Sequence, residues 1–303
     1  MSWSQYNKNL KERGSLLFWL PDDIEDWWYS KNNNGVGRPN IYSDKAIRIC
    51  LQLRSLLRFP LRATEGFVES LFKRFKLKLS APCYTQISRR TGNLEKFEIL
   101  IPKGANVNIA VDSTGLKVYG EGEWKVRMHG ISKRRTWRKV HLVVDVENHK
   151  ILANSLTTNK VSDARAWTDI ASKFQDKVKT VFGDGAYDKR ECYESIRRIG
   201  ANPIIPPQNN ARMQKKLINP AKIPRDQAIA KIKLYGNNEE ARTQWKTESN
   251  YHQRSLSETA MYRLKSAFGP KLQSRKFKNQ IIELDVKVEM LNKMASLGMP
   301  KNM

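Results

Sequence analysis

The spacing of apolar residues along the chain changes after about the first hundred positions. From position 43 to position 92, apolar residues recur every three or four positions, as on one face of an amphipathic helix. This spacing predicts three helices, within SDKAIRICLQLRSLLRF, LRATEGFVESLFKRF and YTQISRRTG. The first has a capping-box-like start, Pro60 ends it or opens the second, and Gly92 closes the third. Residues 1–40 are predicted to be loop-like, with Trp and Leu side chains docked on a core.

Beyond Pro102 the spacing changes to the alternation that is typical of β-strands. VNIAVDSTGLKVYG is predicted to form two strands around a Ser-Thr-Gly turn. Residues 140–145 and 151–156 are predicted to form a second pair, joined by a Glu-Asn-His turn.

The later elements alternate between helices and strands. They are, in order, a helix after Ser162, a short buried strand in KTVFGDGAY, a helix stopped by Gly200, a strand in NPIIP, a connector to about Gly236, a long helical stretch to Gly269, and an amphipathic helix at 281–297. This order predicts an α/β fold with a mixed sheet flanked by helices. We expect it to occupy residues 103–303, after an all-α N-terminal region of residues 1–102.

The third predicted helix would present polar and basic side chains, namely Thr85, Gln86, Ser88, Arg89 and Arg90. Three short helices of which the last is basic resemble a helix-turn-helix DNA reader. The alternative is a small helical bundle with a solvated basic face.

Charge favours a polyanionic partner. The chain has 303 residues, with 55 Lys and Arg against 30 Asp and Glu, and a net charge of +25. Such a surface attracts nucleic acid, although a ribosome-associated basic protein would share it. The three cysteines are far apart, which argues against a disulfide framework and a zinc site. With neither a signal peptide pattern nor a membrane-spanning apolar run in sight, we expect a cytoplasmic, nucleoid-associated protein.

Three acids occupy positions that suggest chemistry. Asp112 and Asp184 each end a short apolar run, where the strands of an open α/β sheet face a ligand crevice, and Glu258 lies on a later helix. Three carboxylates that converge on one crevice suit Mg²⁺ or Mn²⁺. Two such ions would stabilise the attacking and leaving oxygens of a phosphoryl displacement. Any one of these acids could instead cap a turn or pair with neighbouring bases.

The segment YHQRSLSETAMYRLK surrounds Glu258 with basic residues. On a regular helix, Tyr251, Arg254, Glu258 and Lys265 would fall within an arc of about 60°. Arg254 and Lys265 could then hold DNA phosphates beside the acid, and Tyr251 could stack on a base or a sugar.

A second basic segment lies between the two predicted strand pairs. Its cations are Lys125, Arg127, Lys133, Arg134, Arg135, Arg138 and Lys139. They are predicted to follow DNA near the acids, the alternative being a solvated basic loop. Trp124 and Trp137 in the same region could stack on bases or pack in the core.

The motifs together resemble those of a known family. The spacing Tyr251-x2-Arg254-x3-Glu258-x6-Lys265 looks like the YREK signature of DDE transposases from bacterial insertion sequences. AVDSTGLKVYGEGEWKVR and VFGDGAYD look like the motifs around that family's first and second aspartates. RPNIYSDKAIR, LSAPCYTQISRR and SKRRTWRKVHLVVD extend the likeness over most of the chain. The resemblance is closest to the insertion-sequence-five family.

This resemblance implies an RNase H-like core in which Asp112, Asp184 and Glu258 form the catalytic and metal-binding triad, with two Mg²⁺ (or Mn²⁺) ions. It implies double-stranded DNA as partner, both the terminal inverted repeats and the target, and a homo-oligomer acting on paired ends. The implied reaction is hydrolysis at the element's end, which frees a 3′-hydroxyl, followed by attack of that hydroxyl on target DNA. The segment between Asp184 and Glu258 leaves no room for a large all-β insertion domain.

Two alternatives stay open. One is a catalytically silent DNA-binding regulator derived from a transposase. The other is a related nuclease that hydrolyses DNA and does not join strands.

Overall fold

The computed structural model describes residues 2–31, 39–96, 98, 101, 105–119, 136–214 and 219–298. The described residues form two compact units. The helical unit takes those within 1–97, 117–135 and 264–303, and the sheet unit takes those within 98–116 and 136–263. The domain boundary at residue 102 stays a prediction.

Helices and strands follow one another in the order α1 Trp3–Glu12, α2 Leu16–Trp19, α3 Ile24–Trp27, α4 Asp44–Leu57, α5 Leu61–Phe75, α6 Tyr84–Thr91, β1 Val107–Tyr119, β2 Thr136–Asp145, β3 Ile151–Thr158, α7 Asp163–Ala171, β4 Val178–Phe182, α8 Arg190–Arg198, β5 Asn202–Ile204, α9 Ile223–Leu234, α10 Glu239–Glu248, α11 Ser255–Phe268 and α12 Phe277–Ser296.

The N-terminal helical region is confirmed. The three predicted helices are α4, α5 and α6, and Ser43 caps α4 by accepting a hydrogen bond from the backbone N–H of Ala46 at 3.0 Å. Trp28 is fully buried, packs edge-on against Phe72 with 4.9 Å between ring centroids, and donates from Nε1 to the Ser80 carbonyl.

The prediction of a loop-like start is wrong. Residues 2–31 contain α1, α2 and α3. Ser2 caps α1 by accepting from the backbone N–H of Gln5, and the buried ring of Trp19 donates from Nε1 to the Arg13 carbonyl. The cap thus favours the start of α1, and burial of Trp19 fixes α2.

The sheet unit contains the predicted mixed sheet. Five strands lie in the order β3-β2-β1-β4-β5, with β1, β4 and β5 parallel and β2 antiparallel to β3. Helices flank this sheet, as the RNase H-like prediction requires. Ser162 begins α7 as predicted, accepting from the backbone N–H of Arg165 at 3.2 Å.

The predicted turn at Ser-Thr-Gly is wrong, because β1 runs unbroken through it. Gly115 has a different use. A Cβ atom there would lie 3.2 Å from the ring of Trp137 on β2, so the glycine makes room for that ring within the sheet. Small residues in a strand often mark such a close approach.

Two predictions about the later helices are also wrong. The connector before Gly236 contains α9. The long helical stretch is divided, because Asn250 adopts a left-handed conformation (φ 54°) after α10, and a 3-10 turn over Tyr251–Arg254 precedes α11. The final predicted helix is α12, which begins earlier than expected.

Both faces of the sheet are buried, and a further cluster of Ala228, Ile232, Ala241 and Trp245 lies between α9 and α10. One face of the sheet buries Ile109, Val111 and Val181 against α7 and α8. The opposite face buries a smaller cluster of Ala110, Val146 and Phe182, against which Leu256 of α11 packs. This smaller cluster holds the first turn of α11 against the sheet.

Candidate active site

Asp112 and Asp184 occupy equivalent positions on neighbouring strands. Ala110 of β1 pairs with Phe182 of β4 in parallel register, and each acid lies two residues further along its strand direction. Because side chains alternate along a strand, Asp112 lies on the same face as Ala110. That is also the face against which Leu256 packs. The parallel register therefore places the two acids side by side, but the prediction that Asp112 ends its strand is wrong, because β1 continues to Tyr119.

The turn after β4 holds the second aspartate. Asp184 has an extended backbone (φ −80°, ψ −179°), and its carboxylate accepts from the Ala186 N–H at 2.8 Å, capping the 3-10 turn Gly185–Tyr187. Gly183 is needed there, since a Cβ atom would come within 3.2 Å of the Tyr187 ring. Burial raises the pKa of Tyr187 well above its ordinary value, and the negative charges of Asp163, Asp112 and Asp184 raise it further.

The first aspartate is shielded from solvent. The side chain of Asp112 is 14% exposed, and its Oδ1 accepts from the Ser113 N–H at 2.7 Å. Burial raises the pKa of Asp112, and the charges of Asp184 and Glu258 also raise it, against the lowering effect of that hydrogen bond and of Arg254. The effects of Asp184 and Glu258 place both carboxylates within electrostatic reach of Asp112.

Arg254 connects the first aspartate to the glutamate. Its Nη1 donates to Asp112 Oδ2 at 3.1 Å, and its Nη2 forms an ion pair with Glu258 Oε1. Arg254 ends the 3-10 turn before α11, and Glu258 follows it by one helical turn. The Ser257 hydroxyl donates to the Arg254 carbonyl at 2.7 Å, which fixes the junction between the turn and the helix.

Tyr251 lies beside the same guanidinium. The Arg254 Cζ is 5.7 Å from the centroid of the Tyr251 ring. The ring of Trp245 on α10 lies on Tyr251 as well, with 6.2 Å between the two ring centroids. Burial raises the pKa of Tyr251. Of the proposed YREK residues, the structure thus joins Tyr251, Arg254 and Glu258, while Lys265 lies seven residues beyond Glu258 on α11. Because the turn interrupts the helix, the single 60° arc does not describe Tyr251 and Arg254.

An ion-pair network on the other face of the sheet was missed by sequence reasoning. Asp163, at the start of α7, accepts from Lys139 Nζ at 2.8 Å and lies 3.5 Å from Nδ1 of His141. Burial opposes ionisation, but bonds with His141, Lys139 and Ser113 hold the pKa of Asp163 well below its usual range. The signal was present in the alternation of Lys139 and His141 with apolar residues along β2.

Among the other residues predicted to contact DNA, some make hydrogen bonds within the protein and one is exposed. The Gln86 side chain accepts from the Cys83 N–H at 3.3 Å, and Arg90 bonds to the Tyr42 carbonyl and the Asp44 carboxylate, whereas Arg89 is exposed. Arg138 is half-buried and donates to the Trp137 carbonyl at 3.4 Å. Arg134 and Arg135 lie outside the described residues.

The carboxylate donors of the site are of the type that a hard divalent cation prefers. Asp112, Asp184 and Glu258 supply only carboxylate oxygens, the ligands that Mg²⁺ and Mn²⁺ prefer. In the part of the chain that the structure describes, no three acidic, His or Cys side chains are arranged to hold a metal ion. Arg254 supplies the positive charge between Asp112 and Glu258.

Comparison with known protein families gives the family of the chain. Two family models, each described as a transposase DDE domain, match residues 11–121 and 104–291. The chain belongs to the DDE transposase family. The second match covers Asp112, Asp184 and Glu258. The likeness to the insertion-sequence-five family and the YREK signature stay predictions. Among its described residues, the transposase has no helix long and apolar enough to cross a membrane.

Proposed function

We propose that this transposase binds the terminal inverted repeats of its insertion sequence, cleaves the DNA ends and joins them to target DNA. Water would attack the phosphodiester at the end of the element, leaving a 3′-hydroxyl. That hydroxyl would then attack a target phosphodiester and displace another 3′-oxygen. The observation that carries this proposal is the parallel pairing of Ala110 with Phe182, which brings Asp112 and Asp184 together beneath the helix of Glu258.

The three acids would hold two Mg²⁺ or Mn²⁺ ions, which supply Lewis-acid activation of the phosphate when bound. The residues around them have separate tasks. Asp184 is held in place by its cap on Gly185–Tyr187, and Asp112 by the Ser113 N–H. These bonds limit the movement of two oxygen donors before DNA arrives, which favours an ordered site.

Arg254 would hold a DNA phosphate once its two carboxylates are neutralised by metal. Its guanidinium fork suits phosphate oxygens, as it suits the carboxylates that it contacts in the structure. Tyr251 keeps the guanidinium over its ring, and Lys265 adds charge further along α11. The helical region that includes α6 would bind the terminal repeats, and a homo-oligomer would act on paired ends.

A cleavage and joining assay tests this function. The substrate is DNA that carries the element's ends, with Mg²⁺ present, and binding is measured in parallel by gel shift. We expect Asp112→Asn, Asp184→Asn and Glu258→Gln to abolish cleavage and to leave end binding in place. Asp169→Asn is the matched control, because Asp169 is an exposed acid on α7.

The outcomes separate the alternatives. Full cleavage by any triad variant overturns the assignment of that acid. A wild-type protein that binds ends and never cuts them would be a silent regulator. Hydrolysed products without joined ones would indicate a nuclease that lacks strand transfer.

A further inference from the structure

A basic pocket lies in the helical unit, between the end of α6 and the start of α12. Its volume is about 320 Å³. Three of its lining side chains are cationic, Arg54, Arg275 and Lys276, and none of the described residues that line it is acidic. Ser88 and Ser274 add hydroxyl groups. We call this cavity the α6–α12 pocket.

Arg54 is the unusual member of the α6–α12 pocket. It belongs to α4 and is only 7% exposed. Its Nη1 lies 3.5 Å from the Ser274 hydroxyl, and its Nε has no hydrogen-bond partner among the described residues. Burial lowers the pKa of Arg54, against the raising effect of the Glu283 charge. A buried guanidinium with so few acceptors is unfavourable unless an anion supplies them.

Glu283, the acid whose charge acts on Arg54, already has other partners. Glu283 of α12 is 3% exposed and forms an ion pair with Lys287 at 2.8 Å. Its carboxylate also accepts from the backbone N–H groups of Gln273 and Ser274, at 2.9 and 2.8 Å. Glu283 therefore organises the loop beside the pocket, and part of its charge is neutralised by Lys287.

The loop that carries Arg275 and Lys276 is held from both sides. Besides Glu283, the buried Gln280 donates from Nε2 to the carbonyls of Ser274 and Arg275, at 3.0 and 3.2 Å. Arg275 and Lys276 themselves are exposed at the mouth of the pocket. The backbone of the two exposed cations is therefore held in place, while the third cation of the pocket, Arg54, is buried.

The opposite wall is equally constrained. Asn279 donates from Nδ2 to the Ser88 carbonyl at 2.9 Å, and Lys278 donates from Nζ to Asn93 Oδ1 at 2.8 Å. A Cβ atom on Gly92 would come 2.6 Å from Asn279 Oδ1, so the glycine makes room for Asn279 at the end of α6. The end of α6 is therefore fixed to the loop that carries the cations.

We propose that the α6–α12 pocket binds a phosphate group of the DNA backbone. The phosphate oxygens accept from Arg54 and from the hydroxyl of Ser274, while Arg275 and Lys276 neutralise its charge at the mouth. A phosphate held there fixes α6 on the duplex, since phosphate contacts set the register of a DNA-binding helix. This inference rests on the proposed function only in taking DNA as the source of the phosphate.

Inorganic phosphate tests the pocket without DNA. Thermal unfolding of the full chain is measured in phosphate and in chloride at equal ionic strength. We expect phosphate to raise the wild-type melting temperature and to have no such effect on the double variant Arg275→Gln/Lys276→Gln. The control Lys8→Gln/Lys11→Gln removes the same charge from exposed positions on α1 and should respond as the wild type does.

The variant Arg54→Met tests the buried cation, because its effects on stability in chloride and on the response to phosphate should differ. Replacing a buried, poorly paired charge by an apolar side chain of similar length is often neutral or stabilising. We expect this variant to melt no lower than the wild type in chloride and to lose the stabilisation by phosphate. A variant that still responds to phosphate would overturn the assignment of Arg54.

DNA binding identifies the source of the phosphate. The dissociation constant for end DNA is measured over a range of salt concentrations. Loss of one phosphate contact lowers the slope of log affinity against log salt by about 0.9. We expect that change in Arg275→Gln/Lys276→Gln, with a smaller change in the α1 control.

Each outcome decides one part of the proposal. Stabilisation by phosphate together with an unchanged salt slope overturns the DNA assignment and leaves a small-anion site. Absence of both effects overturns the pocket as an anion site. A phosphate-responsive wild type that binds no DNA ends would contradict the proposed function and not the pocket.

Discussion

The guanidinium of Arg254 donates to a carboxylate oxygen of Asp112 at 3.1 Å. Its other amino group pairs with Glu258, so one cation spans two of the three acids that would hold metal. A divalent ion at the proposed site would therefore compete with this guanidinium for the same oxygens. In our proposal, DNA would relieve the competition by offering Arg254 a phosphate.

We predict that Arg254→Gln tightens metal binding in the absence of DNA. Removing a competitor for Asp112 and Glu258 should strengthen Mn²⁺ binding about fivefold, or roughly 1 kcal/mol, as measured by calorimetry. The same variant should bind and cleave end DNA less well, because a phosphate contact is lost. Arg165→Gln is the control, since Arg165 is exposed on α7. Metal affinity that is unchanged in Arg254→Gln would show that the ion pairs do not oppose metal.

The contribution of Asp163 to the free energy of unfolding should be lost at acidic pH. Its folded pKa is depressed, so the stability it contributes is complete above its unfolded pKa, near 3.9, and is lost as the pH falls toward the folded value. Asp163→Asn should lower the free energy of unfolding by about 1–3 kcal/mol at neutral pH. The difference from the wild type should shrink below about pH 4. Denaturant unfolding at several pH values measures both, and a difference that persists at low pH would contradict the assignment. Asp169→Asn should show neither effect.

Gly183 should tolerate no side chain. A methyl group there would meet the Tyr187 ring at 3.2–3.3 Å, so Gly183→Ala must displace the ring or the turn that Asp184 caps. We expect a loss of about 1–3 kcal/mol in unfolding free energy and a fall in cleavage. Gly66→Ala is the opposite case, because nothing lies within 4 Å of that position in the middle of α5. It should stabilise the protein by up to about 1 kcal/mol.

Substitution of Arg89 should affect DNA binding, whereas substitution of Arg90 should affect stability. Arg90 contacts Tyr42 and Asp44, so Arg90→Gln should lower the melting temperature, at a cost of about 1 kcal/mol. Arg89 is exposed, and Arg89→Gln should weaken binding to end DNA without changing the melting temperature. Equal effects of the two variants on DNA binding would mean that Arg90 leaves Tyr42 and Asp44 and contacts DNA when the protein binds the duplex.

The sequence allowed prediction of the sheet and of the two aspartates because these depend on local patterns. An apolar run followed by Asp and Gly predicts the end of β4, and the apolar run before Asp112 predicts β1, although that strand continues to Tyr119. The break between α10 and α11 was not predictable in this way. Asn250 can adopt the left-handed conformation or continue a helix, and packing of Tyr251 and Leu256 decides between them.

Other features depend on contacts between distant residues. The Ser-Thr-Gly segment has the composition of a turn, and only the ring of Trp137 explains why it stays in a strand. Arg54 falls on a helix whose pattern gives no sign of an anion pocket, because the residues that complete it come from positions 88 and 274–276. Spacing along one helix cannot reveal such a site.

The strand order has a consequence for the newly made chain. Asp112 and Asp184 come from β1 and β4, which become neighbours only after β2, β3 and α7 have been synthesised between them, and Glu258 follows later still. Chains are made from the N-terminus and fold domain by domain. The helical unit is completed last of all, because it includes residues 264–303, so an unfinished polypeptide still on the ribosome holds only part of each unit until the final helix has been made.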